Sequence, residues 1–135
     1  MDFKEKVEYL SRYRKLVAQI EADTIEYERW LAVGSRTTQI FNAAPGGSSS
    51  SRVEKSGIEL AGICDELRKE IQKAEQARLS IGIAINTHAK KPRYAELLRW
   101  RYMSGLTNGE IARIIKKDAK TVSKAMVRAI DTLDI

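Results

Sequence analysis

Proline occurs at only two positions in this 135-residue chain, Pro45 and Pro92, and each lies between segments of regular apolar spacing. Because proline removes a backbone donor and clashes with the preceding helical turn, its absence elsewhere permits long uninterrupted helices. Apolar residues between positions 3 and 31 recur at gaps of three, four and seven, which places them on one stripe of a helix. A second stripe keeps a heptad spacing from 53 to 74. This pattern predicts an all-α protein.

The two long predicted helices are expected to pack as an antiparallel, coiled-coil-like hairpin over residues 1–89, because so short a chain offers few other partners. Between them, residues 42–51 read NAAPGGSSSS, a composition typical of a flexible link. Around residues 79–85 the apolar side chains occupy more than one face of the second helix. We therefore expect additional burial there, either by the C-terminal region or by a second copy of the chain.

The net charge of +6 lies entirely in the last third of the chain. Residues 1–45 carry seven Lys or Arg and seven Asp or Glu, and residues 46–89 carry six of each. Residues 90–135 carry eleven Lys or Arg against five acidic residues. A neutral body with a basic end is typical of proteins that dock on a polyanion, and a merely solvated basic surface is the alternative explanation.

Several function classes lack their characteristic residues. His88 is the only histidine and Cys64 the only cysteine, so neither a zinc site nor a Cys–His nucleophile pair is predicted. The chain contains no P-loop or GxGxxG motif, and we expect no enzymatic activity, no cofactor and no metal. Its N-terminus is charged from Asp2 onward, which predicts no signal peptide. No uncharged run reaches the ~20 residues that cross a bilayer, so a cytoplasmic protein without a membrane partner is expected.

Residues 92–135 are predicted to form a three-helix domain. Pro92 suits the first turn of a helix, where its missing N–H is not needed, and Gly105 suits the left-handed position after the helix ends. Thr107 and Glu110 then form the T-x-x-E pattern of a capping box at the start of a second helix. The residues expected to point inward from this second helix are Ile111, Ala112, Ile114 and Ile115.

The third helix follows a short break, and Asp118 is expected to cap it. Its expected buried side consists of Val122, Ala125, Met126, Ala129, Ile130 and Leu133. Two short helices joined by a tight connection, the second longer and basic, predict a helix-turn-helix. In that motif the second helix enters the DNA major groove while the first crosses the backbone. A three-helix bundle without a DNA-binding role shows the same spacing, so the localised charge is what favours DNA.

Residues 97–133, LLRWRYMSGLTNGEIARIIKKDAKTVSKAMVRAIDTL, resemble region 4 of sigma-70 family factors. The shared features are the run L-x-x-R-Y-x-x-G-L-T-x-x-E-I-A, the break after Ile115 and the closing T-V-S-K-A-M-V-R-A-I-x-x-L. Response regulators of the LuxR type share much of this motif. The sequence KKDAK at 116–120 departs from the short L-G-I/V-S turn that is usual in the family, and it leaves the turn more basic.

The layout of the whole chain is similar to that of small phage and prophage proteins, the late-gene regulators of the ArpU/RinA type. The similarity comprises a long helix, the Gly- and Ser-rich link, a second long helix, the K-P-R-Y-x-x-L-L-x-x-R-Y segment and the helix-turn-helix. The resemblance implies a sequence-specific, DNA-binding transcriptional regulator that acts on late genes at the nucleoid of a bacterial host cell. Its implied partners are double-stranded DNA and RNA polymerase. A second copy of the chain, bound through the hairpin, is a further expected partner because of the heptad spacing at 53–74 and the surplus apolar faces at 79–85.

The resemblance also implies which residues contact DNA. Base or phosphate contacts are expected from the outward face of the third helix, at Lys120, Thr121, Ser123 and Lys124. Thr107, at a helix N-terminus, is expected to offer backbone N–H groups to a phosphate. The expected phosphate-neutralising side chains are Arg113, Lys116, Lys117 and Arg128.

Two other functions fit the same sequence. A small terminase subunit also joins a helix-turn-helix to oligomerising helices, and it binds DNA for genome packaging. A coiled-coil adaptor for RNA polymerase or a sigma factor would instead use the basic end as a protein-binding surface. Oligomer size distinguishes the first, because terminase small subunits resemble rings of many copies, and DNA binding itself distinguishes the second.

Overall fold

The computed structural model describes the backbone of residues 1–43 and 48–135 and the side chains of residues 1–34 and 54–135. Within this part the chain forms five α-helices: α1 (Phe3–Ala43), α2 (Ser48–His88), α3 (Pro92–Leu98), α4 (Asn108–Ile115) and α5 (Ala119–Asp131). A π-helical turn, Arg99–Met103, continues α3. No strand occurs among the described residues, so the predicted all-α fold is confirmed.

The predicted link at residues 42–51 is only partly covered by this description. Its central residues, 44–47, lie outside the described residues, whereas α1 extends to Ala43 and α2 begins at Ser48. The two long helices predicted from the apolar stripes are therefore present. Each helix extends beyond the stripe that predicted it. The first continues past position 31 to Ala43, and the second runs from Ser48 to His88.

The chain divides into two compact units, and the first contains Met1–Leu16 together with Ala74–Ile135. The start of α1 and the end of α2 therefore share one core with α3, α4 and α5. The members of this core with 0% exposed surface are Leu10, Ile85, Leu98, Ile111, Ala129 and Leu133. Residues from both ends of the sequence thus bury one another, which the apolar pattern of each segment alone did not predict.

The apolar cluster at residues 79–85 divides between this core and the surface. Ile81 and Ile85 are 1% and 0% exposed and belong to the core that the C-terminal helices share. Leu79 and Ile83, on the same helix, are 51% and 65% exposed. The C-terminal region is therefore the source of burial for one face of this cluster, and the other face stays open.

Two side-chain contacts fasten the start of α1 within the first unit. The buried ammonium group of Lys6 donates a hydrogen bond to the Asp131 carbonyl oxygen at 2.9 Å. The hydroxyl groups of Tyr9 and Ser80 lie 3.0 Å apart. Lys6 reaches the last turn of α5, where a cation is favoured because the final helix carbonyls have no partner within the helix.

The segment that follows α3 ends with the backbone geometry predicted for Gly105. The N–H of Leu106 donates to the Trp100 carbonyl at 3.0 Å, and Gly105 just before it has a φ of 73°. A residue with a side chain adopts this left-handed conformation only with strain. A Cβ atom at this position would also lie within 2.7 Å of three guanidinium atoms of Arg14. The prediction of a left-handed glycine here is confirmed.

The second compact unit spans Val17–Lys73. Its two helices run antiparallel, because Trp30 lies beside Ser56 whereas Asp23, earlier in α1, lies beside Glu70, later in α2. The Ser56 side chain is 2% exposed, and its hydroxyl donates to the Trp30 carbonyl at 3.2 Å. A small polar residue is therefore buried where these two helices meet.

The heptad positions predicted on α2 are only partly buried in the second unit. Leu60, Cys64 and Leu67 are half-buried, and Ile71 is 54% exposed. The side chain of Val53 lies outside the described residues. A two-helix contact covers a narrow strip of each helix, so positions at the edge of the heptad stripe remain in water.

Glu70, in the second unit, is a glutamate whose pKa is shifted by its surroundings. Its Oε2 atom is buried without a hydrogen-bond partner. Burial raises the pKa of Glu70 from 4.5 to about 7; the nearby carboxyls of Asp23 and Glu66 act in the same direction, and Lys73 acts against them. A carboxyl whose pKa is raised by folding stabilises the folded state only while it is protonated.

Glu70→Gln should therefore remove a pH dependence of the second unit. Because the folded pKa of about 7 lies above the unfolded value of 4.5, the stabilisation is complete below pH 4.5 and is lost as pH rises through 7. We expect the melting temperature of the wild type to fall between pH 5 and pH 8. The melting temperature of Glu70→Gln should stay nearly constant over the same range. Glu59→Gln, an exposed glutamate of the same helix, is the control and should keep the wild-type fall. An undiminished fall in Glu70→Gln would contradict this assignment.

Candidate nucleic-acid interface

The first helix of the predicted helix-turn-helix, α4, begins with the predicted capping box. The N–H of Glu110 donates to Thr107 Oγ1 at 3.2 Å, and the N–H of Thr107 donates to Glu110 Oε1 at 3.3 Å. The Thr107 hydroxyl also donates to Glu110 Oε1 at 3.1 Å. This prediction is confirmed. The Thr107 N–H, which was expected to bind a phosphate, instead donates to the Glu110 carboxylate. Thr107 therefore stabilises the start of α4.

The connection between α4 and α5 consists of three residues, Lys116 to Asp118. Lys116 is in the left-handed conformation with φ 55° and ψ 48°, and the N–H of Lys117 donates to the Ala112 carbonyl at 2.9 Å. This conformation costs a residue other than glycine about 1–2 kcal/mol. Lys116 therefore combines this backbone strain with a positive charge in the connection.

Asp118 occupies the N-cap position of α5, as predicted, and its carbonyl accepts from the N–H of Val122 at 3.1 Å. Its carboxylate makes no capping hydrogen bond. The second helix of the motif therefore begins at Ala119, within the KKDAK sequence. The carboxylate still lies at the end of α5 where a negative charge is favoured.

The buried face of α5 is the predicted one. All six expected residues, Val122, Ala125, Met126, Ala129, Ile130 and Leu133, are buried. On α4 the expectation is only partly correct, because Ile111 and Ala112 are buried and Ile115 is half-buried, whereas Ile114 is 53% exposed. The prediction for Ile114 was wrong. A helix of eight residues that packs on one side covers only part of an apolar surface that spans four positions.

The side of α5 that faces away from this core is basic. Lys120, Thr121, Lys124 and Arg128 are all exposed there. Ser123 differs from the expectation, because it is half-buried and its hydroxyl accepts a hydrogen bond from Asn108 Nδ2 on α4 at 3.2 Å. Ser123 therefore links the two helices of the motif.

Val127 is a candidate contact that the sequence analysis did not identify. It lies three residues after Lys124 and seven after Lys120, so the three side chains share one face of α5. Its side chain is 52% exposed beside these two cations. An exposed β-branched residue is suited to contact the methyl group of thymine. The signal in the sequence was a valine outside the buried set of α5.

A cleft of about 260 Å³ lies between the start of α3 and α5. The residues that line it are Lys91, Arg93, Tyr94, Thr121, Lys124, Ala125 and Arg128. Four of them are cations and none is acidic. Lys91 and Arg93 were counted in the basic end of the chain but were not assigned to the site, because they precede α5 by more than a full helix of sequence.

Seven of the nine predicted residues fall into two groups, whereas Thr107 caps α4 and Ser123 is half-buried against Asn108. Thr121, Lys124 and Arg128 come together at the cleft. The others are exposed elsewhere on the motif: Arg113 on α4, Lys116 and Lys117 in the connection, and Lys120 at the start of α5. Both groups lie on the helix-turn-helix or in the connection between its helices, and every member except Thr121 is a cation.

These cations are not neutralised by carboxylates. The ion pairs among the described side chains are Arg68–Asp65, Lys69–Glu66 and Arg78–Glu75, all within α2. An exposed cation that has no ion pair keeps its full electrostatic interaction available for an anion from solution. The basic surface therefore has the charge that a polyanion requires.

The described part of the chain contains no group of three or more His, Cys, Asp or Glu side chains that could hold a metal ion. None of its helices is long and apolar enough to cross a membrane. No protein-family model matches this chain, and no curated protein or solved structure matches it either.

Proposed function

We propose that this protein is a sequence-specific, DNA-binding transcriptional regulator that inserts α5 into the major groove of double-stranded DNA. The observation that carries the proposal is the exposed basic face of α5, the second helix of a capped helix-turn-helix with a buried opposite side. In this motif the second helix contacts base edges and the first crosses the backbone. The concentration of the net charge in residues 90–135 supports the same partner.

The exposed cations of the motif and Val127 have a chemistry that suits DNA. Lys120 can donate to the N7 and O6 acceptors of guanine, and Val127 can contact a thymine methyl group. Arg113, Lys116 and Lys117 neutralise phosphates, which fixes the position of the motif without reading sequence. Specificity in this proposal therefore comes from a small number of residues on α5.

The resemblance to sigma region 4 and to phage late-gene regulators supports a role at promoters, in the cytoplasm of a bacterial host. RNA polymerase is the protein partner that such a role requires. A second copy of the chain would bring two reading helices to paired half-sites about one helical turn of DNA apart. No catalytic activity belongs to the proposal.

Genome-wide mapping of the DNA sites that the protein occupies in its native host tests this function. The expected result is a small set of sites upstream of genes, centred on one sequence. Occupancy of a single packaging site by a ring-shaped oligomer would replace the proposal with the terminase function. A folded protein that occupies no DNA and instead co-purifies with RNA polymerase would replace it with the adaptor function.

Lys120→Ala should weaken binding to the selected site by about 1–3 kcal/mol and binding to random DNA by less, if Lys120 reaches a base edge. The measurement is a titration of both DNAs at one salt concentration. Lys15→Ala removes an exposed lysine of α1 and serves as the control, with no expected change in preference for the selected site. Equal losses on both DNAs would reduce Lys120 to a phosphate contact.

A further inference from the structure

The cleft between α3 and α5 has an electrostatic composition that folding alone does not favour. Lys91 and Arg93 come from the start of α3, whereas Lys124 and Arg128 come from the middle and end of α5. Packing these helices together brings four like charges to one cavity, which raises the free energy of the folded state. Among the described residues no carboxylate lines the cavity to offset this repulsion. An anion bound in the cleft would offset the repulsion among these four cations.

One cation of the cleft, Lys91, is held in place by local structure. Lys91 is the residue before Pro92 and has the extended backbone, φ −136° and ψ 146°, that a following proline favours. Its ammonium group lies 5.5 Å from the centre of the Tyr94 ring, within the range of a cation–π interaction. This contact with Tyr94 directs Lys91 toward the cavity that both residues line.

The size of the cleft limits what it can hold. Pockets that take small organic ligands have volumes of roughly 300–1,000 Å³ and are mostly apolar. This cavity of about 260 Å³ is smaller, and four of the seven residues that line it are cations, with two hydroxyl-bearing residues, Tyr94 and Thr121. Ala125 leaves space at the surface of α5 between the flanking charged residues. These properties suit a single tetrahedral oxyanion.

We propose that this cleft binds one backbone phosphate of the DNA strand that borders the groove entered by α5. Lys91 and Arg93 approach the phosphate from α3, and Thr121, Lys124 and Arg128 approach it from α5. This inference rests on the proposed DNA-binding function and extends it by assigning Lys124 to the backbone. The reading of bases is then left to Lys120 and Val127.

The double variant Lys91→Ala/Arg93→Ala tests the phosphate site. For the wild type and the variant, log affinity is measured against log salt on the selected site and on random DNA. The slope of the variant should be flatter than that of the wild type by about one unit on both DNAs. Thermal stability should not fall, because the substitutions remove like charges from one cavity. Lys90→Ala is the matched control, since Lys90 is exposed next to Lys91 but does not line the cleft. An equal change in Lys90→Ala would overturn the inference.

A scan with single neutral methylphosphonate linkages identifies the phosphate itself. One position should weaken wild-type binding several-fold and should have little effect on the double variant. If every position weakens both proteins equally while the wild type still binds DNA, the phosphate site is wrong and the DNA-binding function stands. If folded wild type binds no DNA, both proposals fail. Saturable binding of inorganic phosphate that survives DNA excess would also overturn the inference, because it would assign the cleft to a free anion.

Discussion

Leu10→Ala should lower the free energy of unfolding of the C-terminal helices by about 2–5 kcal/mol, although Leu10 stands near the opposite end of the sequence. Its side chain is 0% exposed in the core that it shares with Leu98, Ile111 and Leu133. Replacing it by alanine removes buried apolar surface and leaves a cavity that helices on several sides cannot all close. The expected loss is a large fraction of the stability of a domain of this size.

Urea denaturation measures this loss in a way that separates the two compact units. Trp100 belongs to the first unit and Trp30 to the second, so a Trp30→Phe background lets tryptophan fluorescence follow the first unit alone. Leu79→Ala is the matched control, because it makes the same chemical change at a position that is 51% exposed in the same unit. Similar, small losses in both variants would contradict a shared core.

The same core predicts how a shortened protein behaves. A fragment of residues 92–135 retains the helix-turn-helix but lacks Leu10, Ile81 and Ile85, which bury its inner surface. We expect that fragment to be poorly folded and to bind DNA weakly. The start of α1 and the end of α2 are therefore part of the same structural unit as the helix-turn-helix.

Features fixed within one or two turns of chain were predictable from the sequence. The capping box of Thr107 and Glu110, the left-handed Gly105 and the buried face of α5 are all confirmed. Each depends on neighbours at fixed spacing, so periodicity and capping rules suffice. The same reasoning identified the two long helices, since neither of them contains a proline.

Features that depend on how helices meet were not predictable. Periodicity identifies an apolar side of α4 but not how much of it a neighbour covers, and Ile114 is therefore exposed against expectation. Ser123 was expected to face outward, and Asn108 of α4 instead holds it. The grouping of Lys91 with Arg128 was missed because a charge count along the sequence adds cations without giving their positions in space.

Affinity for DNA should fall steeply with salt if the basic surface binds as proposed. The candidate phosphate contacts are Arg113, Lys116, Lys117, Lys124 and Arg128, with Lys91 and Arg93 at the cleft. If they neutralise about four to six phosphates, log affinity should fall with log salt at a slope of about −4 to −5, near −0.9 per phosphate. Raising the salt from about 50 to about 200 mM then weakens binding roughly 250- to 1,000-fold.

The origin of this slope separates DNA binding from the alternatives. Lys117→Ala should flatten it by about one unit on every DNA sequence, because Lys117 is exposed in the connection and can contribute charge without reading a base. Circular dichroism at each salt concentration provides the control that the helices remain folded. If the DNA affinity of the folded protein does not depend on salt concentration, these cations do not contact phosphates. Their clustering would then have to serve an acidic protein surface, and the adaptor function would take the place of DNA recognition.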